Sequence, residues 1–412
     1  GTYADIGMEQ FGLITITDFM SQISDPNFTH RSFVVPDTRG WIAADPAGTF
    51  SSDPRDGIPR QDVEYEVNEE ITAAYLQASF SGGDRYPYRG NIGVRYAKTD
   101  QTSVGLLGVQ NGADFYPLDE DNPSAVTDRS YSDVLPSLNV AWDLADEWVA
   151  RFAASKTVTR PDPVDLRQGW DLDDVDGTDN EGDAGNPDLA PYRTKNFDTS
   201  LEFYPEAGGA YAFGIFYKEL EGFITDGVEI VPIDLSPFDS ELGVEDFEIE
   251  RPVNTDGGTI KGAELSLHTP FDTFTDGFLS HFGINASVTY VDARLEAVRG
   301  NGRVVSLRGT SEWSGNIVTY FEMEKFSARL AYNTRDDFLH QEAVSANDFD
   351  EFTEGQEYVT LNLDYRFNEH WRLRFTGNNL TDSQRYRLWE NKYFSDQRDD
   401  GRTFVLELRG RM

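Results

Sequence analysis

Val359-Thr-Leu-Asn-Leu-Asp-Tyr-Arg-Phe367 is followed, after the three residues Asn368 to His370, by Trp371-Arg-Leu-Arg-Phe-Thr376. A longer polar stretch then leads to Gly401-Arg-Thr-Phe-Val-Leu-Glu-Leu-Arg-Gly-Arg-Met412. In the first segment Val359, Leu361, Leu363, Tyr365 and Phe367 share one parity, and Thr360, Asn362, Asp364 and Arg366 share the other. Successive side chains of a strand point to opposite faces, so each of these segments carries one apolar and one charged face. Few soluble sheets sustain that alternation over many long strands. A membrane barrel requires it, because its outer face meets lipid and its lumen meets water.

Working outward, the same alternation predicts about fourteen strands, near 8–19, 63–80, 88–100, 130–142, 147–159, 195–204, 210–224, 259–269, 281–293, 304–321, 325–335, 357–367, 370–379 and 401–411. Short turns separate alternate pairs, at Ser81–Pro87, Asp143–Glu147, Pro205–Gly209, Pro270–Leu279, Glu322–Lys325 and Asn368–His370. Long polar segments separate the others, at 101–129, 160–194, 225–258, 336–356 and 380–400, with a shorter one near 294–303. Strict short-long alternation puts every second connection at the same end of an up-and-down antiparallel sheet. The expected fold class is all-β, a transmembrane antiparallel barrel with short periplasmic turns and long extracellular loops. Aromatic residues bracket the strands, as Phe282 and Tyr290 bracket Ile284, Ala286 and Val288, and as Phe326 and Tyr332 flank Ala328 and Leu330. Rings at both headgroup levels with aliphatic groups between them suit a bilayer. Trp148 and Trp371, just after short turns, read as periplasmic girdle residues.

Composition narrows the function. The 412 residues hold 13% aromatics, 38% hydrophobic residues and a mean hydropathy of −0.53. No apolar run is long enough for a transmembrane helix, a test to which alternating strands are blind. With no Cys, a disulfide scaffold, a thiol nucleophile and a Cys-ligated metal are excluded. The five His residues are scattered, so a His-based metal or nucleophilic centre has no support. A net charge of −38 repels phosphate and argues against nucleic acid as a partner. There is no Gly-rich phosphate loop, Gly-x-Ser-x-Gly elbow or His-Glu-x-x-His motif, and the expectation is a protein that is not an enzyme. A soluble acidic lectin or glycoside hydrolase stands as a distant alternative.

Several separated stretches resemble the TonB-dependent outer-membrane receptors. They are Asn91-Ile-Gly-Val-Arg-Tyr-Ala-Lys-Thr99, Val134-Leu-Pro-Ser-Leu-Asn139, Ala153-Ala-Ser-Lys-Thr-Val-Thr-Arg-Pro161, Gly185-Asn-Pro-Asp-Leu-Ala-Pro191, Phe216-Tyr-Lys218 with Gly222-Phe-Ile224, Arg251-Pro-Val-Asn254 with Ile260-Lys-Gly-Ala-Glu-Leu265, and Asn378-Asn-Leu-Thr-Asp382. The resemblance implies a barrel of about 22 strands with a plugged lumen. Residues 1–412 then read as the C-terminal part of one such barrel domain, with the N-terminal plug and first strands upstream. It further implies a Gram-negative outer-membrane location, contact with lipid and lipopolysaccharide, and active uptake of a scarce small-molecule nutrient. Energy would come from the inner-membrane TonB complex through the plug. The resembled subgroup points to an oligosaccharide. A siderophore or other metal chelate, and a passive fourteen-stranded channel, are the alternatives.

Ligand candidates come from the expected outer loops. Trp170, Tyr192, Trp389, Tyr393 and Phe394 offer flat rings for a sugar face, and Asp396 and Arg398 offer hydrogen bonds to hydroxyls. The same rings also suit loop packing or an outer girdle. Residues Asp162–Asp188 hold ten acidic side chains against Arg167 alone, and Asp171, Asp173, Asp174 and Asp176 are a candidate Ca²⁺ set. EF-hand spacing fails there, because a Gly177 alignment puts Leu172 at the first ligand position. A solvated acidic loop with no bound cofactor is the other reading. Arg151, Asp198, Glu202, Glu264, Arg329, Asp364, Arg366, Arg372, Arg374, Glu407 and Arg409 should point into the lumen by parity, with Arg372 and Arg374 reaching a plug. The last strand needs a partner, either the segment near 8–19 or strands outside these residues.

Overall fold

The computed structural model describes residues 13–16, 33–36, 65–106, 108–111, 114–117, 124–172, 180–234, 236, 243–295, 307–341, 343 and 349–410. Its main feature is a thirteen-stranded antiparallel sheet whose members follow one another in chain order. They are Tyr65–Gly82, Tyr88–Leu106, Ser124–Ala145, Trp148–Thr159, Tyr192–Phe203, Ala210–Glu221, Gly258–Pro270, Phe282–Leu295, Trp313–Glu322, Phe326–Arg335, Gln356–Arg366, Trp371–Asn378 and Thr403–Gly410. All six expected short turns join strands at one end, and all six longer connections lie at the other. Only antiparallel neighbours can be joined by turns that short.

The expected face assignment holds. Phe213, Leu265, Val288, Ile317 and Leu330 are between 39% and 51% exposed; the register sets the first three directly opposite one another, and Ile317 and Leu330 follow on the same face, each two residues off its neighbour. In water such a band would be costly; in lipid it is the solvated face. Toward the short-turn end Trp148 stacks on Phe203 at 4.6 Å, with Tyr211 beside it at 5.9 Å. Toward the long-loop end Tyr290 and Trp313 lie 4.8 Å apart. Trp371 is 48% exposed, with its ring beside Gly410. Facing the other way, Asp364 accepts from both Arg372 and Arg374, the latter at 3.1 Å, and Arg151 pairs with Glu202 at 2.9 Å. The expected Arg372–Arg374 pair is thus bound within the wall itself, leaving one net positive charge toward the lumen. Gly262, on the lumenal side, is crowded: a Cβ placed there would stand 2.1 Å from the Tyr290 carbonyl oxygen and 2.5 Å from the Phe216 ring.

Two expectations need correction. Of the segment near 8–19, the described residues Leu13–Ile16 pair with Phe33–Pro36 in a two-stranded ribbon rather than with the large sheet. The rest of that segment lies outside the described residues. The strand expected from 304 begins only at Trp313, because residues 307–310 turn, with Gly309 at φ +74° and Thr310 N–H donating to Leu307 at 3.2 Å. Among the described residues, Tyr65–Gly82 and Thr403–Gly410 are the two edges of the sheet and no strand pairs with either outer side. Met412 lies outside the described residues.

Parity makes a direct prediction. Leu330→Arg, at mid-depth on the lipid side, should lower unfolding stability in lipid by about 2–4 kcal/mol, whereas Thr360→Arg, one strand over on the lumenal side, should cost well under that. Denaturant titration of refolded protein distinguishes the two sites.

Candidate functional site at the outer mouth

The long connections are folded rather than irregular. Ile224–Asp234, Val244–Asn254, Glu181–Ala184 and Trp170–Leu172 form one four-stranded sheet, and Phe338–Gln341, Glu351–Thr353, Arg385–Trp389 and Tyr393–Arg398 form another. The long-loop segments were read as polar loops, but one signal was present. In Val244-Glu-Asp-Phe-Glu-Ile-Glu250 the apolar Phe247 and Ile249 alternate with Glu248 and Glu250. Phe247 and Ile249 are fully buried while the two Glu are exposed. Leu166, Leu189, Ile233, Leu295 and Leu339 are also at 2% exposure or less. Apolar burial from water therefore organises the outer loops, as it does in any soluble domain.

Two of the stretches quoted separately from the sequence meet here. Asn186, in the Gly185–Pro191 stretch, donates from Nδ2 to the Pro252 carbonyl at 2.9 Å. Asn254 accepts from Ala190 N–H at 2.8 Å and donates to the Ala190 and Gly222 carbonyls at 2.8 and 2.9 Å. Gly185 fits because a Cβ there would stand 2.3 Å from the Arg167 carbonyl oxygen. These stretches form one clasp between the second and third outer loops, which the sequence could not reveal because the partners are about 65 residues apart.

The second loop also covers the inner wall. Thr99, Gln101 and Ser103 lie at 0–2% exposure. Arg160 donates to Thr99 Oγ1 at 2.9 Å, Gln101 donates to the Pro187 carbonyl at 3.3 Å, and Thr127 donates to Gln168 at 3.0 Å. Among the described residues, Gln101 Oε1 and Ser103 Oγ meet no hydrogen-bond partner. Further round the wall, a concavity of about 540 Å³ is lined by hydrogen-bonding residues that include Ser287, Thr289, Ser311, Asn316 and Asn333, and by the charged Arg335.

Of the expected ligand residues, Trp389, Tyr393, Phe394, Asp396 and Arg398 come together on one hairpin. Trp389, Tyr393 and Phe394 are 45%, 56% and 61% exposed at its tip, where Glu390 and Asn391 take left-handed backbone angles. Arg398 is bound to Asp400 at 2.9 Å, and Lys392 covers the Tyr393 ring at 5.0 Å. The hairpin is tied down by Ser395 Oγ donating to Glu351 at 2.5 Å and by Asn391 donating to Asp337 at 3.0 Å. Tyr192 is elsewhere, half-buried with its ring 5.7 Å from Phe223, which is the loop-packing alternative. Trp170 and Asp171 are placed by backbone alone, in register with Ala184 and Asp183. Asp173, Asp174 and Asp176, three of the four residues of the candidate Ca²⁺ set, lie outside the described residues. Among the described residues no group of three acidic or His side chains could hold a metal ion.

Charge is divided unevenly around the mouth. Residues 222–257 carry ten acidic side chains against Arg251, and residues 336–355 carry seven with no Lys or Arg. Residues 379–402 are balanced at five of each sign. The crowding has consequences for titration. Burial, then Asp162 and Asp226, raises the pKa of Asp165 above the ordinary carboxylate value. At His340, burial first and then Arg387 lower the pKa, against the opposing pull of Glu351, 3.8 Å away.

Comparison with known proteins adds the following. Residues 10–380 match the family described as TonB dependent receptor-like, beta-barrel. No curated protein matches the sequence. The siderophore receptor PirA from Acinetobacter baumannii is similar in fold at 13% identity and a TM-score of 0.52, over 84% of this chain and 55% of that one. The siderophore receptor PiuA from the same organism shares 14% identity at a TM-score of 0.54, over 97% of this chain and 50% of that one. The ferric-catecholate import receptor Fiu from K12 E. coli shares 16% identity at a TM-score of 0.56, over 84% and 45%. The chain spans about half the length of these structures.

Two predictions arise from the loops. Asn254→Ala removes three hydrogen bonds and leaves the Ala190 amide unpaired, at a local cost of about 1–3 kcal/mol. Hydrogen exchange at residues 186–191 and 252–254 should accelerate while the wall strands stay protected. For His340 the folded pKa lies below the unfolded value of about 6.5, so its contribution is complete above that pH and is lost as pH falls through the folded value. Exchange at 338–341 and 351–353, corrected for intrinsic rates, should rise as pH is lowered across that range, and His340→Gln should flatten the dependence.

Proposed function

The chain belongs to the TonB-dependent receptor β-barrel family of outer-membrane proteins, and from that premise we propose that it is the wall and mouth of a receptor that imports a scarce nutrient across the outer membrane. The family is one of transport rather than catalysis. The outer loops capture the ligand, and the inner-membrane TonB complex supplies energy through a plug domain. The ligand class we propose is a ferric siderophore or related metal chelate. Similarity in fold to siderophore receptors supports this reading over the oligosaccharide that the sequence resemblance pointed to.

Among chelates, the mouth favours neutral or cationic ones. Three of its loops carry twenty-seven carboxylates against two Arg, over 162–188, 222–257 and 336–355. That field raises the local concentration of cations and repels a polyanionic tris-catecholate complex. The exposed Trp389, Tyr393 and Phe394 supply apolar contact, and Asp396 and Arg398 supply polar contact. A second reading, an oligosaccharide, rests on one observation: the concavity around Asn316 and Asn333, rich in hydroxyl and amide groups with Arg335 beside them, suits a polyol.

Calorimetric titration of the full-length receptor with a ferric hydroxamate, a ferric tris-catecholate and a linear oligosaccharide separates these. The expected order is hydroxamate binding, weakened by Trp389→Ala or Tyr393→Ala, with little catecholate binding. Saccharide binding alone would replace the chelate reading, and ion conductance without any saturable ligand would favour a passive channel.

A further inference from the structure

The turn Phe271–His281, between the strands Gly258–Pro270 and Phe282–Leu295, differs from the other short turns. Its neighbours at that end expose Asp84 and Arg85, Asp146, Glu206, Glu324 and Lys325, or Asn368 to His370. This one folds as two short 3₁₀ segments, Phe271–Thr273 and Gly277–His281, and exposes Phe274 at 66%, Phe278 at 64% and Leu279 at 57%. Met323, on the next short turn, is 49% exposed.

We propose that this turn is an interfacial anchor that lies in the periplasmic phospholipid leaflet of the outer membrane; the inference rests on the outer-membrane placement and not on the identity of the ligand. Continuity with the lipid face names the occupant. The Phe278 ring lies 5.5 Å from Phe282 and 5.4 Å from Phe321, which pair across the lipid-facing side of their strands. Phe321 continues to Phe326 at 6.0 Å, so the apolar surface of the turn extends the aromatic girdle without a break. Local bonds serve the polar groups that would otherwise oppose entry. Thr273 Oγ1 donates to the Pro270 carbonyl at 2.7 Å, Ser280 Oγ to the Gly277 carbonyl at 2.6 Å, and Phe274 and Thr275 N–H to the Phe271 carbonyl at 3.2 and 3.0 Å. Asp272 and Asp276 are exposed, and two carboxylates hold the turn at headgroup depth rather than in the hydrocarbon. The geometry is that of a short amphipathic segment lying on a membrane.

The absence of Cys makes a clean test possible. Leu279→Cys, labelled with a bimane fluorophore in the whole protein folded into phosphatidylethanolamine–phosphatidylglycerol vesicles, is compared with Glu369→Cys on a polar turn. Heat-modifiable gel mobility verifies that each variant is folded. The expected result is that brominated lipid quenches the 279 label severalfold more than the 369 label, while aqueous iodide does the reverse. Replacing Phe274 and Phe278 with Ser should then shift the 279 label to iodide quenching. Equal iodide quenching at 279 and 369 would overturn the proposal and leave a water-facing surface for a periplasmic protein. Unchanged lipid quenching after both Phe replacements would equally overturn it, since the apolar side chains would not be holding the turn in the leaflet.

Discussion

A backbone inside hydrocarbon has no water to bond with, so every N–H and C=O of a spanning strand must be met by a neighbouring strand. Everything else in the wall depends on that constraint. It selects an antiparallel ladder of long strands, and it leaves side chains free to be sorted by solvent alone. Phe213, Leu265, Val288, Ile317 and Leu330 are therefore exposed without being destabilising, and Asp364, Arg372 and Arg374 can cluster on the other face. The same constraint makes the two sheet edges informative. Tyr65–Gly82 and Thr403–Gly410 each present a row of ladder groups that lipid cannot satisfy. Tyr75 and Leu76, on opposite faces of the first of these strands, are 76% and 74% exposed.

Above the membrane the governing force changes. The loops are built around side chains removed from water, with Phe247, Ile249, Leu166 and Leu189 fully enclosed, and around a clasp of Asn186 and Asn254 that joins two connections. One chain thus uses two rules, ladder pairing with outward apolar groups below and inward apolar burial above. The switch between them falls where the charge density rises, and it is at this boundary that ligand selection by field and by aromatic contact is placed in our proposal.

This division explains what the sequence disclosed. Period-two alternation over ten or more residues, as in Val359–Phe367, is a strong signal, and twelve of the thirteen wall strands were located to within a few residues apart from their outward extensions. The ninth begins later than its apolar content suggests, because the turn at Gly309 separates Val304, Val305 and Leu307 from the strand. The loop sheets were missed because strands of three to eleven residues interrupted by carboxylates look like solvated polymer unless their alternate positions are read, as at Phe247 and Ile249. The candidate hairpin is partly legible: its aromatics stand out in the sequence, but which of the loop rings packs inward, as Tyr192 does against Phe223, depends on a contact between distant segments. Substrate class is the least legible layer, since it depends on how six loops converge rather than on any one of them.

The central claim is that side-chain parity along these strands separates lipid from lumen. It is tested most directly by nitroxide scanning of Val359–Phe367 in the cysteine-free protein reconstituted in bilayers, with oxygen and a water-soluble nickel chelate as relaxing agents. The account predicts a strict two-residue period, with oxygen favoured at Val359, Leu361, Leu363 and Tyr365, and nickel favoured at Thr360, Asn362 and Asp364. A flat profile, or the opposite phase, would contradict it.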